Sequence, residues 1–155
     1  MGVRIIEYRS EYQQLFRRLN VEWITRYWPL EESDLYYIDN PQSTIIDHGG
    51  QIFIGLLDDV AVGCCALLHH EGGSYDYELA KLAVSPSAQG HGIGWSLCQR
   101  VVDEARRRGG KVLFVESNRI LLPALHLYRK SGFQELQTMH SGLHSRGDIQ
   151  MELKL

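Results

Sequence analysis

The stretch of sequence that decides the fold is QGHGIG, residues 89–94, which lies between a predicted strand and a predicted helix. The strand is an extended apolar run that ends near Val84, where Ser85 and Pro86 stop it. The helix begins near Gly94. Glycines let such a loop turn tightly and approach a ligand closely, and the first N–H groups of the helix face that ligand. The stretch therefore predicts a phosphate-binding loop.

The spacing of the glycines narrows the kind of phosphate site. A dinucleotide fingerprint, GxGxxG, would need a glycine at position 95 or 97, where Trp95 and Leu97 stand. A Walker A loop would need lysine and then Ser or Thr after its last glycine, and Trp95 and Ser96 follow instead. The spacing favours a pyrophosphate-binding loop that lacks the dinucleotide and Walker A motifs. The alternative is that the glycines form only a flexible turn.

The elements on either side of the loop predict a mixed α/β protein. Upstream, a capping box of Ser10 and Gln13 predicts the start of a helix, which Pro29 ends. Apolar runs joined by Asp58 and Asp59 predict a hairpin. The order predicts one sheet with helices on both faces. We predict strands over 3–8, 51–57, 60–68, 75–84, 111–116, 133–136 and 149–155, and helices over 10–28, within 30–44, over 94–108 and over 121–130.

The loop resembles the Q/R-x-x-G-x-G/A loop of the GNAT superfamily, the acetyl-CoA-dependent N-acetyltransferases, with Gln89, Gly92 and Gly94 in the matching places. Three further pieces stand in that family's order. ELAKLAV at 78–84 looks like its fourth strand, VESN at 115–118 like the end of its fifth, and ALHLYRKSGF at 124–133 like its A-x-x-L-Y-x-K-x-G-F helix. The resemblance, which covers about 76–133, implies a single GNAT domain over 1–155. Its fold would be α/β, with a mixed, mostly antiparallel sheet of six to seven strands and about four helices packed on both faces.

The resemblance also implies the cosubstrate and its site: acetyl-CoA, with no metal. The fourth and fifth strands would splay apart and hold the pantetheine arm between them, along the backbone of Leu82, Ala83 and Val84. Asn118 matches a position that reaches the pantetheine, and the alternative is that it caps the helix that starts at Leu121. The pyrophosphate would bind to backbone N–H groups of Gln89, Gly90, His91, Gly92, Ile93 and Gly94.

Glu78 is the candidate general base. An alkyl ammonium has a pKa of about 10, so it must lose a proton before it can attack a thioester, and a carboxylate can take that proton. Alternation along a strand predicts Glu78 on the same face as Ala80, Leu82 and Val84, where burial would suit a base that works near neutral pH. The alternative is a salt bridge, to Lys81 or another cation.

Tyr128 matches the tyrosine that protonates the leaving thiolate in the family, while a backbone N–H near Leu82 or Val84 would stabilise the oxyanion. The alternative is a core tyrosine. His69 and His70 point to opposite faces of a strand, which argues against a metal site. Two sets of residues are interpreted as packing. They are Cys64, Cys65 and Cys98, and the aromatic residues Trp23, Tyr27, Trp28, Tyr36 and Tyr37, some of which could instead line an acceptor pocket.

Length and composition indicate a protein of one domain and argue against several other classes of protein. Its 155 residues suit one domain, and three cysteines without CxxC spacing argue against a disulfide framework or a zinc site. The net charge of −3 argues against nucleic-acid binding. The longest apolar run, 60–68, is too short to span a membrane. We expect a cytoplasmic protein, and the sequence leaves its oligomeric state open, a homodimer included.

The charge divides along the chain. Residues 31–78 hold ten acidic residues and no Lys or Arg, a net −10, whereas 81–130 hold nine basic and three acidic residues, a net +6. The second segment would attract the phosphates of the cosubstrate and the first would favour a cation. A cationic small-molecule amine is therefore the preferred acceptor. The alternatives are a protein lysine or N-terminal amine, and a non-catalytic acyl-CoA-binding sensor.

Overall fold

A single seven-stranded sheet lies at the centre of the protein, in a computed structural model that describes residues 2–140 and 146–155. The strands are β1 (Val3–Glu7), β2 (Gln51–Leu57), β3 (Val60–His69), β4 (Tyr77–Val84), β5 (Val112–Ser117), β6 (Gln134–Glu135) and β7 (Ile149–Lys154). The α-helices are α1 (Gln13–Tyr27), α2 (Glu32–Ile38), α3 (Ile93–Arg107) and α4 (Leu122–Lys130). Short 3₁₀ turns occupy Ser10–Tyr12 and Pro86–Ala88, and a π-helical turn occupies Gln42–Ile46.

The strand order is β1-β2-β3-β4-β5-β7-β6, and only the β4–β5 pair is parallel within the described sheet. Alternate residues of β3 face two separate apolar clusters: Cys65 and Leu67 pack with α3 and α4, whereas Cys64 and Ala66 pack with α1 and α2. Helices therefore cover both faces of the sheet. The predicted fold class is confirmed.

The predicted hairpin between β2 and β3 is also confirmed. Leu57 pairs with Val60, so Asp58 and Asp59 form a two-residue turn with φ of 49° and 69°. Aspartate tolerates this left-handed conformation better than most residues, which is why Asp-Asp can replace the usual Asn-Gly.

The start of α1 differs from the prediction. Residues 10–12 form a 3₁₀ turn, α1 begins at Gln13, and neither N-cap residue makes a side-chain capping bond, so the predicted capping box of Ser10 and Gln13 is wrong. The local competition between a 3₁₀ and an α-helical first turn is not visible in the residue pattern. The buried residues of α1 are Phe16, Leu19, Asn20 and Ile24.

A β-bulge in β4 decides which residues face the site. Ala66 pairs with Ala80 and Cys64 with Ala83, so β4 carries one extra residue, and Lys81 there has φ of 57°. The bulge reverses the alternation. Ala80 and Ala83 therefore pack on the α1 face, whereas Leu82 and Val84 pack on the α3 face, and the predicted common face for Glu78, Leu82 and Val84 is wrong.

Candidate active site

The strands β4 and β5 separate along most of their length and enclose a cavity between them. They pair only at Tyr77 with Leu113 and at Glu78 with Phe114, although β4 continues to Val84 and β5 to Ser117. A cavity of about 300 Å³ lies at this opening, and residues of both strands, of α1 and of α4 line it. The splay expected between these strands is present.

The glycine loop reaches this cavity at Gln89. Gly90 and Gly92 have φ of 86° and 80°, and Gly92 is the N-cap of α3. A Cβ on either residue would meet no atom within 4 Å, so these two positions need glycine for backbone conformation and not for space. The loop side chain that lines the cavity is Gln89, whose Nε2 donates to the carbonyl of Val84 at 3.3 Å.

The start of α3 presents unpaired N–H groups beside the loop. The first N–H that finds a helical acceptor is that of Ser96, which donates to the carbonyl of Gly92 at 3.0 Å. The N–H groups of Ile93 and Gly94 precede it and have no acceptor within the helix. A Cβ on Gly94 would lie 3.1 Å from Cδ1 of Leu127, so this glycine allows α3 to pack on α4. His91 is exposed in the loop. The arrangement can bind an anion.

Glu78 lies where β4 and β5 diverge, and its side chain is 9% exposed. It lines the cavity, and its Oε1 lies 2.8 Å from Nε2 of His70. Its partner is therefore not Lys81. The sequence does not indicate the contact between His70 and Glu78. Alternation along a strand tells which face a residue lies on, but not that the turn after β3 brings His70 beside Glu78 on β4.

Lys81 belongs to a second charged group across the cavity. Its ammonium lies 3.9 Å from Oδ1 of Asp34, a fully buried carboxylate that also bonds to Arg146. Burial lowers the pKa of Lys81, and the charge of Asp34 opposes that effect. Arg146 also donates to Glu31 at 3.0 Å and so links the segment before β7 to α2. No motif indicated this group, because its members are far apart in sequence.

Tyr128 is 6% exposed and lies in the apolar cluster on the α3 face. Burial raises its pKa well above the ordinary value, so its hydroxyl stays protonated. Within residues 2–140 and 146–155 this hydroxyl has no hydrogen-bond partner, yet no fully buried side-chain oxygen or nitrogen lacks one. Tyr128 lines the cavity, and its hydroxyl retains some accessible surface. Tyr128 is thus both part of the apolar core and part of the cavity wall.

Asn118 lines the cavity but does not cap α4. Its Oδ1 accepts from the N–H of Ile120 at 3.0 Å, and its Nδ2 donates to the carbonyl of Arg146 at 2.7 Å. The N-cap of α4 is Leu121, without a side-chain capping bond. The alternative role as a helix cap is therefore wrong, and the amide is held against the cavity wall.

The acidic segment 31–78 does not form one surface at the cavity. Asp58 and Asp59 bond to the backbone of Gly2 and to Arg4, at the edge of the sheet formed by β1. Asp76 accepts from the backbone of Lys111 at 2.9 Å, so it is also occupied elsewhere. The carboxylates that line the cavity are those of Glu78 and Glu116, beside the aromatic residues Trp23, Tyr27 and Trp28 and the cationic residues Arg26, Lys81 and Arg146.

Two further predictions concern sulfur and metal. Cys64, Cys65 and Cys98 are buried and form no disulfide, which confirms them as core residues. In the part of the chain that the structure describes, no group of three potential metal ligands comes together. In the same part, no helix has both the length and the apolar character needed to cross a membrane.

A sheet opened between two parallel strands, with a helix start nearby that can bind an anion and a buried carboxylate where the strands diverge, is typical of an acyl-CoA-binding α/β fold. The chain belongs to the acetyltransferase (GNAT) family, whose sequence model matches residues 14–133. It is 38% identical over 74 residues to an IAA acetyltransferase of Azospirillum brasilense, a match covering 48% of each chain. The chain spans about half the length of the curated relatives it matches.

Solved structures show the same fold over the whole chain. A GNAT-family acetyltransferase from Staphylococcus aureus Mu50 superposes with a TM-score of 0.86 at 16% identity, covering 99% of both chains. The PaiA N-acetyltransferase of Thermoplasma acidophilum, solved in complex with coenzyme A, superposes with a TM-score of 0.73 at 18% identity and covers 100% of both chains.

Proposed function

We propose that this protein transfers the acetyl group of acetyl-CoA to a primary amine, with Glu78 as the general base and Tyr128 as the general acid. The observation that carries this proposal is the position of Glu78. Its side chain lies at the base of the opening between β4 and β5, in a cavity that Tyr128 also lines. A base and a hydroxyl donor that face one cavity are what acyl transfer from a thioester to an amine requires.

The residues present fit acetyl-CoA. The N–H groups at the start of α3 can bind the pyrophosphate, and the positive φ of Gly90 and Gly92 turns the loop around it. Beyond Glu78 and Phe114, the facing edges of β4 and β5 do not pair with each other, so backbone groups there can bond to the amides of the pantetheine arm. When bound, acetyl-CoA supplies a thioester carbonyl that a neutral amine can attack.

The side chains of this protein then move protons. Glu78 takes a proton from the ammonium of the acceptor and so produces the neutral amine. A backbone N–H near Leu82 or Val84 donates to the oxyanion, as the sequence predicts. As the C–S bond breaks, Tyr128 donates its hydroxyl proton to the departing sulfur, and the second proton that the attacking nitrogen loses returns to the Tyr128 oxygen. Burial raises the pKa of Tyr128, so the hydroxyl is protonated at neutral pH and gives up its proton only as negative charge develops on the sulfur.

The acceptor that the cavity supports best is a small amine. The whole cavity measures about 300 Å³, which is at the lower end of the range for small-molecule sites, and the pantetheine arm would fill part of it, so the space left suits a small acceptor. The carboxylates of Glu78 and Glu116 favour a cationic amine. The cationic side chains of Arg26, Lys81 and Arg146 oppose it. The pairing of Lys81 and Arg146 with Asp34 offsets part of that opposition.

The test measures release of the CoA thiol from acetyl-CoA against polyamines, aminoglycosides, amino acids and peptides. We expect at least one small amine to be acetylated, and Glu78→Gln to lower kcat by about 10²- to 10⁴-fold. Glu22→Gln, an exposed carboxylate on α1, serves as the control. Binding of acetyl-CoA without thiol release would instead support a sensor. Raising the salt concentration should raise KM for polyamines, and an unchanged KM would remove the cationic preference.

A further inference from the structure

The bond between His70 and Glu78 joins a buried carboxylate to a partly exposed imidazole. The two side chains are 9% and 35% exposed, and Nε2 lies 2.8 Å from Oε1. A carboxylate has no hydrogen to donate, so with Glu78 ionised the hydrogen of this bond belongs to Nε2 of His70. The imidazole is therefore the donor whenever Glu78 is in the form that a base requires.

Several contacts hold His70 in place for this bond. Its backbone N–H donates to the carbonyl of Asp76 at 2.8 Å, and the Asp76 carboxylate in turn accepts from the backbone of Lys111 and Val112. The imidazole packs against Tyr75 in a T-shaped contact, with the ring centroids 5.2 Å apart. The turn that carries His70 is thus tied to the start of β5, and the position of the ring is set by the fold.

The bond divides the two oxygens of Glu78 between two tasks. Oε1 accepts from His70, whereas Oε2 bonds to no group of the described chain. Because no fully buried side-chain oxygen of the described residues lacks a partner, Oε2 retains an accessible surface. It is therefore the oxygen that can take the proton from an amine in the cavity.

We propose that His70 is a positioning residue for the transfer reaction: its Nε2–H fixes Oε1 of Glu78 and leaves Oε2 aimed at the acceptor amine. This inference rests on the proposed function. In the proton transfer, the N–H bond of the ammonium breaks and an O–H bond forms on Oε2, while the bond from His70 stays in place. Other charged and titratable groups near Glu78 are Lys81, Tyr37 and Tyr75, and none of these is bonded to its carboxylate among the residues described.

Two substitutions separate the bond from the ring. His70→Gln keeps an N–H donor at about the reach of Nε2, whereas His70→Ala removes the donor. We expect His70→Ala to lower kcat by about 10- to 100-fold with little change in KM for acetyl-CoA, because a misplaced base slows proton transfer and not cosubstrate binding. His70→Gln should keep most of kcat, and added imidazole should restore part of the activity of His70→Ala. The control is His126→Ala, an exposed histidine on α4.

The measurement is steady-state thiol release for each variant, with thermal unfolding of each checked by circular dichroism. An unchanged kcat in His70→Ala would overturn this inference alone, provided that the wild-type chain transfers acetyl groups. Equal losses in His70→Gln and His70→Ala without imidazole rescue would also overturn it, because the bond would then not be what matters. A wild-type chain that transfers to no amine would overturn the proposed function and this inference together.

Discussion

Glu104 is the residue for which the structure supports the sharpest prediction about stability. Its side chain is 2% exposed on α3 and accepts hydrogen bonds from Arg100 at 3.1 Å, from Arg108 at 2.7 Å and from Arg107. These guanidinium groups lower the pKa of Glu104 from 4.5 to about 2, with Arg107 as the largest cause. Arg108 also donates to the carbonyl of Gly49 at 2.6 Å, so this cluster ties the end of α3 to the loop before β2.

The lowered pKa sets the size and the sign of the effect. The difference between 4.5 and about 2 corresponds to at most about 3 kcal/mol of folding free energy. Since the three arginine side chains are 36%, 69% and 24% exposed, water screens the attraction, and we expect about 1–2 kcal/mol. Because the folded-state pKa is depressed, this contribution is present above about pH 4.5 and is lost as the pH falls toward 2.

The assay is urea-induced unfolding of the wild type and Glu104→Gln at pH 7 and pH 3. We expect the variant to be less stable by about 1–2 kcal/mol at pH 7, and the difference to shrink by more than half at pH 3. Asp103→Asn is the matched control, because Asp103 is 68% exposed and its ion pair with Arg106 is 4.0 Å long. An equal difference at both pH values, or an equal loss in the control, would refute the electrostatic explanation.

Further predictions concern the hydroxyl of Tyr128 and the buried thiols. Tyr128→Phe should lower turnover far more than the affinity for acetyl-CoA, and equal losses in kinetics and in calorimetric binding would count against the role as acid. Burial raises the pKa of Cys64 to about 12 and raises those of Cys65 and Cys98. A thiol reagent such as DTNB should therefore react with these cysteines only after unfolding, and fast labelling of the folded protein would contradict their burial.

The parts of the fold that the sequence predicts are those where one local signal has no competitor. Asp58 and Asp59 stand between two apolar runs, so a turn at this point keeps both runs in the sheet. The glycine loop is similar, because two of its glycines adopt a positive φ that other residues resist. The π-helical turn after Pro41 is not predictable in this way, since a proline marks a helix boundary without specifying the conformation of the next residues.

The site is predictable only where its residues lie within one motif. Glu78 and Tyr128 each lie in a stretch of sequence that matches the family, and both line the cavity. The bulge at Lys81 escapes prediction because alternation assumes regular pairing, and the pairing depends on β3. The contacts from His70 to Glu78 and from Arg146 to Asp34 depend on tertiary folding, which residue spacing does not contain.

The two-pair junction between β4 and β5 has a consequence for the mechanics of the whole molecule. Within the described sheet, two residue pairs alone join the antiparallel strands β1–β4 to the strands β5, β7 and β6. The two halves of the sheet are therefore connected only at one end of the β4–β5 interface. A ligand that hydrogen-bonds to the unpaired edges of both β4 and β5 connects the two halves of the sheet. Saturation with such a ligand raises the free energy of unfolding, because the ligand binds the folded protein and not the unfolded chain. Ligand binding between β4 and β5 thus compensates for the strand pairing that the opening removes.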